Sequence, residues 1–455
     1  MLSFRPDRAR VAREVGATVR LALPLIAAQL GAVGPNVVDA VLAGHLSAHV
    51  QAAVTTSMSI WALALVSGLG MMMAVPPSVA QLDGAGRRHE AGAVFVQAMW
   101  LAWAMGIVLW FLVRHATPLI DWIGVVPTLR ADVTRFLHAI SWAAPALTSY
   151  FAIRGLSEGL SMTRPSMYFS FGGLLVLAPL GYVLMYGKLG FPALGSLGSG
   201  IATATVLWLE MLAFLWFVIK HPAYKDVNLR GGLAWPKPKM ILELLKIGGP
   251  MSITLLAEGG LFVAVALVLA TLGETVEASH QVALNVATVA FMVPLGLSMA
   301  ITVRVGNAVG RGDAQGVRYA GLCGVGLAVC VQIVSSTVML TIPHLLARLY
   351  THDAAVIALA VQLMVLAGLF QFPDGIQVTS NGALRGLKDT RVPMVITLFA
   401  YWGVGMPIGW WLAFYRGMGA RGMWIGLIAG LTVAAVLLLT RFCRRAFHQE
   451  WQRPA

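Results

Sequence analysis

Charge is what this chain has least of. Only 11% of its 455 residues are Asp, Glu, Lys or Arg, where an average soluble protein carries about 25%. So few charges cannot give a globule of this size a wettable surface, which excludes a soluble fold. Cysteine is scarce as well: Cys323, Cys330 and Cys443 show no paired spacing, and the first two share one apolar stretch. They read as packing residues, with neither a disulfide framework nor a thiolate metal site indicated. The ten histidines stand mostly at the ends of apolar runs, as His45, His49, His115, His221 and His344 do. None falls in a metal-ligand spacing. There is no phosphate loop with its Lys-Ser/Thr, so ATP does not drive this chain directly. No nucleophile-base set is present either. Neither an enzyme nor a cofactor is therefore expected, and energy has to come from an ion gradient unless transport is passive. The basic start, MLSFRPDRARVAREVGATVR, lacks a short apolar region ending in a small-residue cleavage site. It reads as an uncleaved cytoplasmic amphipathic lead-in.

What the chain has in abundance is apolar length. Hydrophobic residues make up 58% of it, and windows long enough to span a hydrocarbon core recur twelve times, at about 1.5 Å per residue across about 30 Å. Forty-eight glycines suit membrane helices, which approach closely through small residues. The net charge of +13 would suggest nucleic acid in a soluble chain. Here most Lys and Arg fall in alternate connections and at both ends, so they orient the protein with both termini in the cytoplasm, and no nucleic-acid partner is expected. The most polar connection, HPAYKDVNLRGGLAWPKPK at 221–239, is broken by Pro and Gly and divides the chain into lobes 1–220 and 241–455, joined by a linker at 221–240. The halves repeat. Gly84-Ala85-Gly86 recurs as Gly310-Arg311-Gly312, Gly155 as Gly382, and Gly159 as Gly386, at a nearly constant spacing. The expected fold is an all-α polytopic membrane protein of twelve transmembrane helices in two pseudo-symmetric six-helix lobes with a central cleft, the architecture of a rocking transporter.

The acids break the repeat. Glu258 in IGGPMSITLLAEGGLFVAVALVLA, Asp374 in LFQFPDGIQV and Asp39 in GPNVVDAVLA each lie deep in an apolar run, where a charge costs at least about 2.5 kcal/mol. Such a residue faces a partner or a wet cavity. A packing residue held neutral by a hydrogen bond is the plainer reading, and three such acids weigh against it. Glu258 and Asp374 are the expected binding site for the coupling cation, whether Na⁺ or a proton. Pro250 and Pro373 invite local unwinding that frees carbonyls beside them, or an ordinary kink. Gln281 and Asn285, four apart on one helix face, can complete the ligand shell or serve as interhelical glue. Glu210 sits toward the cytoplasmic end of its window, placed to snorkel or pair, and Glu158 reads as a helix-end ion pair with Arg154. Met71-Met72-Met73, Trp61 and Phe291 can line the cleft, core packing being the default.

Three stretches carry a resemblance: GPNVVDAVLAGHLSAHVQAAVTTSMSIW, then PMSITLLAEGGLFVAVALVLATLGETVEASHQVALNVATVAFMVPLGLSMAITVRVGNAVGRGD, then FQFPDGIQVTSNGALRGLKDTRVPM. With them the chain resembles the multidrug and toxic compound extrusion (MATE) family, in its NorM-like bacterial branch, from about Leu21 to Arg441. The resemblance implies an antiporter that expels organic cations and amphiphilic drugs against entry of Na⁺ or H⁺, a multi-pass protein of the bacterial inner membrane surrounded by lipid and working as a monomer. Glu258 and Asp374 fall on the family's cation-site carboxylates, Asp39 on the motif Asp of the first helix, and Gln281 on the His-Gln motif opening the eighth. Some relatives place a Tyr where this chain has Phe370, which removes a hydroxyl ligand here. Leu177 and Gly181 stand where relatives often have Asn, which favours coupling through the C-terminal lobe. Two other readings remain open at this point: a flippase for lipid-linked oligosaccharides, and a passive channel.

Overall fold

The computed structural model describes residues 7–123, 125–229 and 235–449. Met1–Pro6 of the lead-in and 230–234 of the expected linker lie outside them. Among the described residues eleven helices are long and apolar enough to cross a membrane: α1 (Arg8–Leu46), α2 (Ala48–Gly84), α3 (Arg88–Arg114), α5 (Arg164–Tyr186), α6 (Ser196–Lys220), α7 (Pro238–Ala270), α8 (Glu274–Gly310), α9 (Ala314–Thr341), α10 (Ala354–Gly386), α11 (Arg391–Tyr415) and α12 (Ala420–Phe447). The pair Pro127–Ser141 and Ala144–Gly159, bent by 45°, makes the twelfth, α4. Pro145 follows that bend, in the first turn of the second piece, where its missing N–H costs no helix bond. The protein is a multi-pass helical membrane protein, with no strand among the described residues.

Polar side chains punctuate the helices. Ser47 caps α2 by accepting from the Val50 amide at 3.1 Å, Asp313 caps α9 through Gly316 at 2.8 Å, and Asp353 caps α10 through Ala355 at 2.8 Å. Each fills one of the donors a helix start leaves unpaired.

The chain forms two compact units, Ala27–Ser252 and Ile253–Ala455 together with Met1–Ile26. This is a different division from the lobes expected at 220 and 241: α1 and α7 each begin in one unit and end in the other. The start of α1 is tied to the second unit by polar contacts. Arg304 donates to both Glu14 oxygens at 2.8 and 2.7 Å, Arg10 pairs with Asp313 at 2.9 Å, and the Asp7 amide donates to the Tyr319 hydroxyl at 2.9 Å. Much of the expected linker is docked on the first unit. Tyr224 and Val227 are buried, and Gln97 accepts from the Lys237 amide at 2.6 Å.

The sequence repeat has a structural meaning in each unit. Gly86 and Gly312 both take positive φ, +74° and +67°, reversing the chain after α2 and after α8 in a conformation that glycine adopts without strain. Gly159 lies against Val79, and Gly386 against Val305 and the Thr302 carbonyl. The same close crossing thus joins α2 to α4 in one unit and α8 to α10 in the other.

Candidate functional site

Helical spacing assembles a cavity inside the second unit. Glu258 and Phe262 sit one turn apart on α7, Phe370 and Asp374 one turn apart on α10, and Leu284, Ala287, Thr288 and Phe291 form one face of α8. Together they line a cavity of about 160 Å³, room for several waters or a partly hydrated ion. Asp374 is only 3% exposed. Among the described residues neither carboxylate has a hydrogen bond or an ion pair, yet they lie within electrostatic reach of each other. The surroundings are apolar and aromatic: Phe370 meets Phe262 edge-on at 6.2 Å and Trp424 at 5.7 Å, and Trp424 meets His280 at 5.8 Å. Little there can stabilise negative charge, and two neighbouring acids repel. A small cation between them relieves both penalties at once.

The remaining expected ligands are elsewhere. Gln281 donates to Glu277 at 2.7 Å, one turn earlier on α8, and Asn285 is exposed; neither lines the cavity. Their spacing puts them on one face, which adjoins the face carrying Leu284, Ala287 and Phe291, with Thr288 between the two. Pro250 and Pro373 lie inside continuous helices, so neither unwinds its helix. Among the described residues no group of three or more His, Cys, Asp or Glu gathers as a metal site, which leaves two carboxylates as the charged ligands for any ion held here.

Asp39 belongs to the first unit. It is 1% exposed and accepts from Ser199 at 2.7 Å and Thr203 at 3.3 Å, both on α6. Thr203 in turn lines a cavity of about 140 Å³ with Asn36, Trp61, Tyr150, Phe151 and Glu210. Trp61 and Phe291, both expected at a cleft, each line the cavity of their own unit. Met72 and Met73 are buried core residues. Arg154 and Glu158, read from sequence as a helix-end ion pair, form one at 2.5 Å in the closing turns of α4, where it is buried, with Gln29 accepting from Arg154 at 2.8 Å.

Two residues escaped the sequence reading as site groups. Glu210 lines the first unit's cavity with its carboxylate over Gly173, where any β-carbon would overlap it. Its signal was present, as an acid inside an apolar window, and position along the window alone directed it to the interface. Tyr401 carries a buried hydroxyl near Glu258 and Asp374. A tyrosine in an apolar helix gives no such signal.

Known proteins resemble this chain over most of its length. The family model MatE matches residues 24–183 and 250–411. A probable multidrug resistance protein NorM of Xanthomonas campestris pv. campestris is 47% identical over 433 residues, covering 95% of this chain and 94% of the relative. Multidrug resistance protein PmpM of Pseudomonas aeruginosa is 40% identical, covering 96% and 93%. Among solved structures, the eukaryotic MATE transporter AtDTX14 superposes with a TM-score of 0.86 at 20% identity, covering 97% of this chain and 99% of that one, a likeness of fold.

Proposed function

The chain belongs to the MatE family, and from that membership we propose that it is a secondary active multidrug exporter, driving organic cations and amphiphilic drugs out of a bacterial cell against inward flow of Na⁺ or H⁺. One observation carries the coupling part of this reading: Glu258 and Asp374 line a single cavity, and among the described residues no protein cation is paired to either. Relatives whose names describe multidrug resistance, matched over nearly their whole length, support the choice of cargo.

In this reading the coupling cation enters from outside and binds between the two carboxylates. Neutralising them removes the cost of enclosing charge among Phe262, Phe370 and Trp424, so the helices that carry them can repack. The drug has to bind more weakly to the cation-loaded state, since a ligand shifts an equilibrium only through its differential affinity. Asp39, held by Ser199 and Thr203, either attracts cationic drug or joins this switch. Both termini lie in the cytoplasm and the transporter works as a monomer in the inner membrane.

The test is drug resistance conferred on a sensitive bacterium. Glu258→Gln and Asp374→Asn abolish it at unchanged membrane abundance, and wild-type resistance from either variant removes the carboxylates from the mechanism. Proteoliposomes under separately imposed sodium and pH gradients identify the ion.

A further inference from the structure

We propose that Tyr401 is a third oxygen of the cation site, its phenol acting as the neutral partner of Glu258 and Asp374. This rests on the reading of those two carboxylates as the coupling site.

Tyr401 is 1% exposed, and among the described residues its hydroxyl has no hydrogen-bond partner. It lies within electrostatic reach of both carboxylates. Burying a hydroxyl unsatisfied forfeits its bonds to water; Thr18, Ser149, Ser166, Ser380 and Thr397 share that state, and Tyr401 is set apart by the two acids within its reach. A hydroxyl that stands beside two equally unpartnered acids has an evident use. A phenol both donates and accepts, so its oxygen can turn a lone pair to a cation held between the two carboxylates. Hard monovalent and divalent cations alike favour several oxygens, and two carboxylates alone supply few.

The backbone places this residue deliberately. Phe399–Gly405 of α11 is wound as a π-helix, a rare local geometry that shifts side chains round the helix axis and is found often at functional sites. This turn is fastened to the segment of α7 that bears Glu258: the Trp402 indole donates to the Ala257 carbonyl at 3.2 Å. The ring of Tyr401 shares a buried apolar cluster with Leu261, Phe370 and Trp424. The titratable groups in this part of the unit are Glu258, Asp374 and His280, the last of which lies against Trp424.

Purified wild type and Tyr401→Phe are reconstituted in liposomes, and ethidium efflux is followed against external Na⁺ at fixed pH and against external pH without Na⁺. On whichever arm drives efflux, the variant needs about tenfold more cation for half-maximal rate, the equivalent of one lost hydrogen bond to a charged site. The maximal rate at saturating cation is kept. Adding Phe370→Tyr, which puts a hydroxyl on the wall of the cavity that Glu258 and Asp374 line, moves the midpoint back toward wild type. An unchanged midpoint in Tyr401→Phe, beside lost coupling in Glu258→Gln, overturns the role of Tyr401 and leaves the carboxylate reading standing. Unchanged coupling in Glu258→Gln overturns that reading itself. Failure of Tyr401→Phe to accumulate in the membrane marks the hydroxyl as a packing group and also overturns the proposal.

Discussion

The crossing of α8 with α10 offers a stringent test, because it closes where Gly382 and Gly386 lack a methyl group. A β-carbon at Gly382 would stand 2.5 Å from the Ser298 carbonyl oxygen, about 0.5 Å inside the 3.0 Å below which such contacts are essentially never found. The Ser298 hydroxyl would be pressed as well. The obstacle is backbone, so Gly382→Ala forces the two helices apart. The same contact holds two interhelical hydrogen bonds, Ser298 to the Val378 carbonyl at 2.7 Å and Thr302 to the Gly382 carbonyl at 2.9 Å. Overpacking costs about 1–3 kcal/mol and each bond in a membrane interior about 0.6 kcal/mol, so the loss is about 2–4 kcal/mol. For a unit of this size that lowers the apparent melting midpoint in detergent by about 5–15 °C. Gly326→Ala on α9 is the control: nothing lies within 4 Å of its β-carbon, and alanine's better helix propensity raises stability by at most about 1 kcal/mol. Efflux falls in the first variant, since α10 carries Asp374 two turns away, and is kept in the second. Equal midpoints for the two variants would refute the steric argument.

Two further outcomes follow from the polar contacts. Ser199→Ala removes the shorter of the two hydrogen bonds to Asp39 and lowers ethidium efflux by about tenfold, whereas Thr203→Ala, whose bond is 3.3 Å long, costs less; equal efflux in both variants and wild type would show that Asp39 needs no holding. Tyr224, outside the spanning segments, shares a 2.7 Å hydrogen bond with Ser157, and burial pushes its phenol above its ordinary value. Its folded form holds the proton more tightly than its unfolded form. The stability it contributes is therefore fully present below the ordinary phenol range and is lost as pH rises through the raised folded value. Tyr224→Phe, followed by thermal unfolding across alkaline pH, flattens that dependence; an identical alkaline decline in both proteins counts against it.

Much was legible from residue order because a hydrocarbon environment penalises charge steeply and rewards length. The spans followed from apolar run length, and the acids stood out because so few polar groups are tolerated within such runs. Gln281 and Asn285 show where this reasoning ends. Their spacing determined that they share a face, but the face that turns to Glu258 depends on how α8 is rotated against α7 and α10, and side chains distant in the chain decide that rotation. Glu210 was visible as an anomaly and misassigned, because only packing reveals that Gly173 leaves space for its carboxylate.

The sequence by itself determined that this is a membrane-spanning helical chain, duplicated along its length, with Glu258, Asp374 and Asp39 as its costly acids. Local composition suffices for that, since transfer into oil is paid residue by residue. Tertiary structure alone decided that Glu258 and Asp374 share one cavity, that α1 and α7 each divide between two compact units, and that the Tyr401 hydroxyl, unpartnered among the described residues, is buried within electrostatic reach of the pair. Those facts depend on the rotation of each helix about its axis and on where glycine lets two backbones touch. Both are settled by packing between segments far apart in the chain.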